Sequence, residues 1–148
     1  MTTPQLIDIP VRSAADLTGR WAAVLDPPRF AARSLWLLWL TATGAMLPVV
    51  LPVDGLPRLP DPLLLRGLLD LHATVTAEVD GGRAHLALAL CRPGRAAVTA
   101  DDDLWAAALR GVLDRDLEGS WSLHLAAGDR VVPLVDPPGE AWSPTSTP

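Results

Sequence analysis

The side chains able to do chemistry are few, and they gather in the second half of the chain: His85, Cys91, His124, the acidic run Asp101-Asp102-Asp103, and the cations Arg92 and Arg95. Cys91 beside Arg92 invites a nucleophile reading, because a neighbouring guanidinium favours the thiolate. That chemistry also needs a base and an orienting acid, and no spacing supplies them. His85, His124 and Cys91 combine nitrogen and sulfur donors that could hold a metal. No ligand spacing supports such a site, and a structural imidazole, hydrogen-bonded or partly exposed, is the simpler role for His85. Three consecutive acids on a helix point in different directions. At a helix N-terminus they are stabilised by the backbone dipole, by about 0.3 to 1 kcal/mol each. Arg92 and Arg95 could meet an acidic ligand, but pairing with these nearby acids satisfies charges already present.

Positioning these groups requires a sheet. Leu35, Leu37 and Trp39 alternate with Trp36, Leu38 and Leu40 over residues 34–42, apolar on both sides, which predicts a strand covered on both faces. Residues 45–53 supply its partner, with Pro48 and Pro52 tolerated best at an edge. A helix is expected from Ser13, its N-cap, to Leu25, with Leu17, Trp21, Val24 and Leu25 on one face. Asp61-Pro62 opens a second, with Leu64, Leu65, Leu68, Leu69 and Leu71 as its stripe. Residues 74–79 read either as the end of that helix or as half of a hairpin across Asp80-Gly81-Gly82. Residues 84–90 form a buried strand. Thr99 and Asp102 make a capping box for a helix to about Arg115, with Leu104, Trp105, Ala108, Leu109, Val112 and Leu113 facing inward. Strands over 120–126 and 130–135 follow, joined by the tight Ala127-Gly128-Asp129 turn. The order is α-β-β-α-β-α-β-β, an α/β fold with a mixed sheet and flanking helices.

The chain's 148 residues, 49% of them hydrophobic, suit one domain with tails. All 12 basic residues are Arg, and 17 acids outnumber them, for a formal charge of -5. This balance argues against nucleic-acid binding, which needs clustered cations to displace phosphate counterions. A single cysteine excludes an intrachain disulfide, and the first 12 residues lack the pattern of a secretory signal, so a cytoplasmic location is expected. Leu35 to Val53 has no charged residue and reaches bilayer-spanning length. The Thr41-Ala42-Thr43-Gly44 break and the two prolines favour two strands instead. The tail from Pro137 is rich in Pro, Ser and Thr and is expected to be disordered, with Trp142 as a docking element within it at most.

The segment Leu90-Cys91-Arg92-Pro93, then six residues, then Ala100-Asp101-Asp102-Asp103, resembles the H-x-H-P…S-x-x-D motif of the JAB/MPN metalloprotease core, keeping its proline, spacing and final Asp. His124 and the Gly128-Asp129 turn are similar to the closing hairpin of the RadC branch, although Leu123 replaces its aspartate. The resemblance covers about residues 30–136. It implies a cytidine-deaminase-like three-layer sandwich, with residues 1–29 as an N-terminal helical segment and 137–148 as a tail. It also favours helix over hairpin for 74–79. The family's zinc ligands would fall at Leu90, Arg92 and Asp103. Leu90 has no lone pair, Arg92 is a permanent cation, and Asp103 alone cannot hold zinc. No glutamate stands where the family's general base would; Asp54 is the nearest carboxylate, in a turn where a structural role suffices.

The expectation is therefore a catalytically inactive JAB/RadC-like interaction or scaffold module without cofactor or metal. Its partner would be another protein or a second copy, with Cys91, Arg95 and His124 as candidate binding residues. Two alternatives stand beside it: a metal-dependent hydrolase or peptidase with a non-standard ligand set, and a membrane-associated protein held through residues 35–53.

Overall fold

The computed structural model describes residues 9–79, 83–117 and 120–137. The elements run α1 (Ala14–Val24), β1 (Ser34–Leu40), β2 (Met46–Asp54), α2 (Pro62–Thr76), β3 (His85–Cys91), α3 (Ala100–Leu117), β4 (Trp121–Ala127) and β5 (Arg130–Val135), in the expected order. The strands form one sheet, β2-β1-β3-β4-β5. Only β3 and β4 are parallel, linked through α3; the other neighbours are antiparallel. The proline-bearing β2 lies at an edge, where a missing ladder donor costs least.

Period-two alternation divides the apolar side chains between two cores. Leu35, Leu37 and Trp39 of β1, with Leu86, Leu88 and Leu90 of β3, face α2 and α3, which contribute Leu65, Leu68, Trp105, Leu109 and Leu113. Leu38 and Leu40, with the small residues Ala87, Ala89 and Cys91, face α1 and its Leu17, Trp21 and Leu25. The protein is thus an α/β fold of three layers, a mixed sheet between helices. Helix α1 forms one of those layers, with Val11 just before it and its Leu17 and Trp21 fully buried.

Local chemistry sets the helix starts. The Ser13 hydroxyl accepts from the Asp16 amide, and Asp61 caps α2 with Pro62 in its first turn. Thr99 and Asp102 exchange reciprocal bonds, Thr99 N to the carboxylate at 2.9 Å and Asp102 N to the hydroxyl at 3.2 Å. Helix α2 runs to Thr76 and ends in a turn through Val79, so of the two readings of 74–79 the helical one holds and the strand does not. One expectation needed adjustment. On α3, Leu104 is half exposed and Ala106 is buried in its stead, because the inward stripe runs Asp102, Trp105, Ala106, Leu109, Leu113. Residues 35–53 are two strands and a turn, and among the described residues no helix is long and apolar enough to cross a membrane. The tail, including Trp142, and the Asp80-Gly81-Gly82 segment lie outside the described residues.

Candidate functional site

Beyond the carboxyl end of β3 the chain meets the start of α3, the junction to which the motif spacing points. Leu90 faces the α2–α3 core and is fully buried among aliphatic neighbours. Arg92, two residues on, points to the same side, while Cys91 between them points to the α1 side. The Arg92 guanidinium is buried and every one of its donors is used. Its Nε and Nη2 grip Asp102 Oδ1 and Oδ2 at 2.9 and 2.7 Å. Nη1 donates to the carbonyls of Pro93 and Arg95 at 2.9 and 3.0 Å, and Nη2 also to Ala97 at 2.9 Å. A guanidinium has five N–H groups, and here five acceptors surround it. One side chain thereby closes the 93–97 loop upon the helix start.

The electrostatics follow from that geometry. Hydrogen bonding to Asp102 raises the Arg92 pKa against the effect of burial. Burial alone would raise Asp102, but the Arg92 fork and the Thr99 bonds outweigh it and hold the carboxyl below its ordinary value. The inward acid is Asp102; Asp103, the position expected from the resemblance, is exposed one helical step away. Leu90, Arg92 and Asp103 therefore form no donor set, and the residues present do not fit a zinc ion. Arg92 pairs internally as expected, whereas Arg95 does not: its carbonyl serves Arg92 and its side chain lines a surface notch.

The remaining candidates separate. Cys91 is fully buried, and burial pushes its thiol up to about 12 against an opposing hydrogen bond with Ser34. The Arg92 charge is spent on Asp102 on the opposite face, so it does not activate the thiol. His85 and His124 lie on the α1 side with Cys91, spread along the sheet. His124 pairs in register with Ala89, and His85 lies four residues before Ala89, about 13 Å of strand. Among the described residues no three His, Cys, Asp or Glu side chains are grouped to hold a metal ion.

Both histidines are structural. His85 is buried, with Nε2 2.8 Å from the Ser122 hydroxyl. His124 Nε2 lies 2.8 Å from Thr18 Oγ1, whose proton goes to the Ala14 carbonyl at 3.2 Å, so the ring carries its proton on Nε2 and donates it. Burial drives His85 down to about 3, and His124 to about 4 despite the nearby Asp136. His124 is therefore a buried tie between β4 and α1, not a binding residue on the surface. Asp54 closes β2 opposite Ser34, followed by Gly55 at φ 68°, in keeping with a turn role.

Sequence reasoning missed Arg130. It follows the Gly128-Asp129 turn and, with Arg95, Ala96, Ala97 and Gly128, lines a notch of about 240 Å³ at this same end of the sheet. A cation directly after a two-residue hairpin turn was the available signal. No family model, no curated protein and no solved structure matches the chain.

Proposed function

We propose that the chain is a catalytically inactive JAB/RadC-like module, of the cytidine-deaminase-like layering, that works by binding protein. The observation that carries this reading is the Arg92 guanidinium, saturated by Asp102 and three loop carbonyls at the place where the resemblance puts a catalytic ion. A permanent cation locked there opposes a divalent ion, and it gathers the same kind of oxygen ligands for a structural purpose. Element order and the spacing from Pro93 to the α3 start support the family reading. A single buried thiol suits a reducing compartment, and the cytoplasm is the location we favour.

The binding surface this reading favours lies over α2 and α3. Leu59, Leu63, Val98 and Leu104 are 45, 75, 49 and 50% exposed. The Arg58–Asp101 contact and the Trp105 bond to the Arg58 carbonyl bring their segments together. Beside them runs a groove of about 490 Å³ lined by Leu65, Leu69, Ala108 and Val112, with Arg66, Arg115 and Asp116 on its walls. A patch carrying both signs of charge is its own complement across a two-fold axis, so the occupant we favour is a second copy.

Two measurements test the reading. Calorimetric titration of chelator-treated protein with zinc gives no stoichiometric binding; one tightly held zinc supporting peptide hydrolysis overturns the inactive assignment. Sedimentation equilibrium gives a dimer that Leu63→Asp or Leu104→Asp converts to monomer. A parent chain that stays monomeric removes the second copy as occupant.

A further inference from the structure

We propose that the notch between the 93–97 loop and the β4–β5 turn is an oxyanion-binding site, in which Arg95 and Arg130 grip a phosphate or carboxylate group. The notch shares no lining residue with the α2–α3 groove, so an anion there is independent of the interaction surface.

Three observations meet there. First, both walls are fixed. Arg92 clamps the carbonyls of Pro93, Arg95 and Ala97. The opposing turn has Gly128 and Asp129 both at positive φ, 53 and 66°, and presses its backbone on the loop. A Cβ added at Gly128 would lie 3.0 Å from the Gly94 carbonyl oxygen and 3.3 Å from the Arg95 Cα. The turn is anchored again by the Asp129 amide to the Pro28 carbonyl at 3.2 Å. Second, the acid nearest in sequence is turned away, since Asp129 pairs with Arg29, and among the described residues no carboxylate lines the notch. Third, the neighbouring cations are answered while these two are not. Arg29 pairs with Asp129 and Arg92 with Asp102, the two ion pairs that border the notch. Neither the Arg95 nor the Arg130 side chain makes an ion pair with a described residue.

Two cations on loops whose backbones are packed together line one notch, and an anion seated there would answer both charges. Planar guanidinium forks match the oxygens of phosphate and carboxylate. The notch lies at the carboxyl end of the parallel pair β3–β4, the end at which open α/β sheets bind ligands.

The test is amide NMR of the intact protein at low ionic strength, titrated separately with inorganic phosphate and with acetate. Saturable shifts confined to residues 95–97 and 128–130, with phosphate or acetate the tighter according to the natural ligand's source, are the expected result. Arg95→Gln or Arg130→Gln weakens binding about tenfold or more, the effect of losing one charge-assisted bond, while Arg110→Gln on the exposed face of α3 leaves it unchanged. Both notch side chains are exposed, so unperturbed spectra elsewhere verify the variants' fold. Absence of saturable shifts with either anion, or shifts that persist in the double variant, overturns the site.

Discussion

Arg92 and Asp102 meet as a two-pronged fork, Nε to Oδ1 and Nη2 to Oδ2, buried between the end of β3 and the first turn of α3. The same carboxylate also accepts the Thr99 amide, so one acid completes the helix cap and neutralises the loop's guanidinium. Removing one partner of such a pair leaves a buried charge unanswered, which costs about 3 to 5 kcal/mol. Asp102→Asn should lose that much in urea unfolding. Asp103→Asn, one residue on and exposed, should lie within about 0.5 kcal/mol of the parent. Equal losses at the two positions would contradict the assignment of Asp102 as the inward acid.

Acid should unfold the protein through its histidines before its carboxylates. All three, His72, His85 and His124, have pKa values lowered by burial, the latter two to about 3 and about 4. Below pH 6.5 the unfolded chain takes up protons that the folded chain refuses, so stability is complete above that value and falls as pH drops towards 4. Each histidine contributes up to about 1.4 kcal/mol per pH unit. Urea midpoints across this range measure the slope, and His124→Gln should reduce it by about one proton. A flat profile from pH 7 to pH 5 would show the rings to be exposed.

Cys91 should resist alkylation in the folded state. Its thiol is buried and pushed up to about 12, so modification by a maleimide at neutral pH should proceed at the rate of unfolding and accelerate with denaturant. Fast labelling of native protein would contradict this.

The glycines divide by what a methyl group would strike. At Gly44, φ 87°, an added Cβ would lie 1.9 Å from the Val11 carbonyl oxygen, where Val11 N bonds the Gly44 carbonyl at 2.8 Å. Gly44→Ala should cost about 1 to 3 kcal/mol and release the segment before α1. Gly19 and Gly67 lie inside helices with nothing near an added Cβ, and Ala at either should stabilise by about 0.5 to 1 kcal/mol. Thermal melts of the three variants check both signs.

Local signals made the element order legible. Ser13, Asp61 and the Thr99–Asp102 box announce helix starts by their own hydrogen bonds, and the alternation over residues 34–40 assigns each side chain to one of two cores before any partner strand is known. What stayed hidden depends on contacts between distant segments. The burial of Arg20 against Met46 and the Ile9 carbonyl, 26 and 11 residues away, has no local signature. The capping box picks out Asp102 locally, but its grip on Arg92, ten residues away, has no such sign. Arg130 reads as an ordinary strand-end cation until the hairpin turn is seen to press on the 93–97 loop.

The central strand β3 takes β1 on one edge and β4 on the other, so its two partners come from opposite halves of the chain. A polypeptide emerging from the ribosome has β1 in hand some 45 residues before β3 exists to cover its edge, with β2 able to shield only the other. During that interval the Ser34–Leu40 backbone presents an open ladder flanked by apolar side chains on both sides. A chain cut short before β3 should therefore aggregate where the full chain does not.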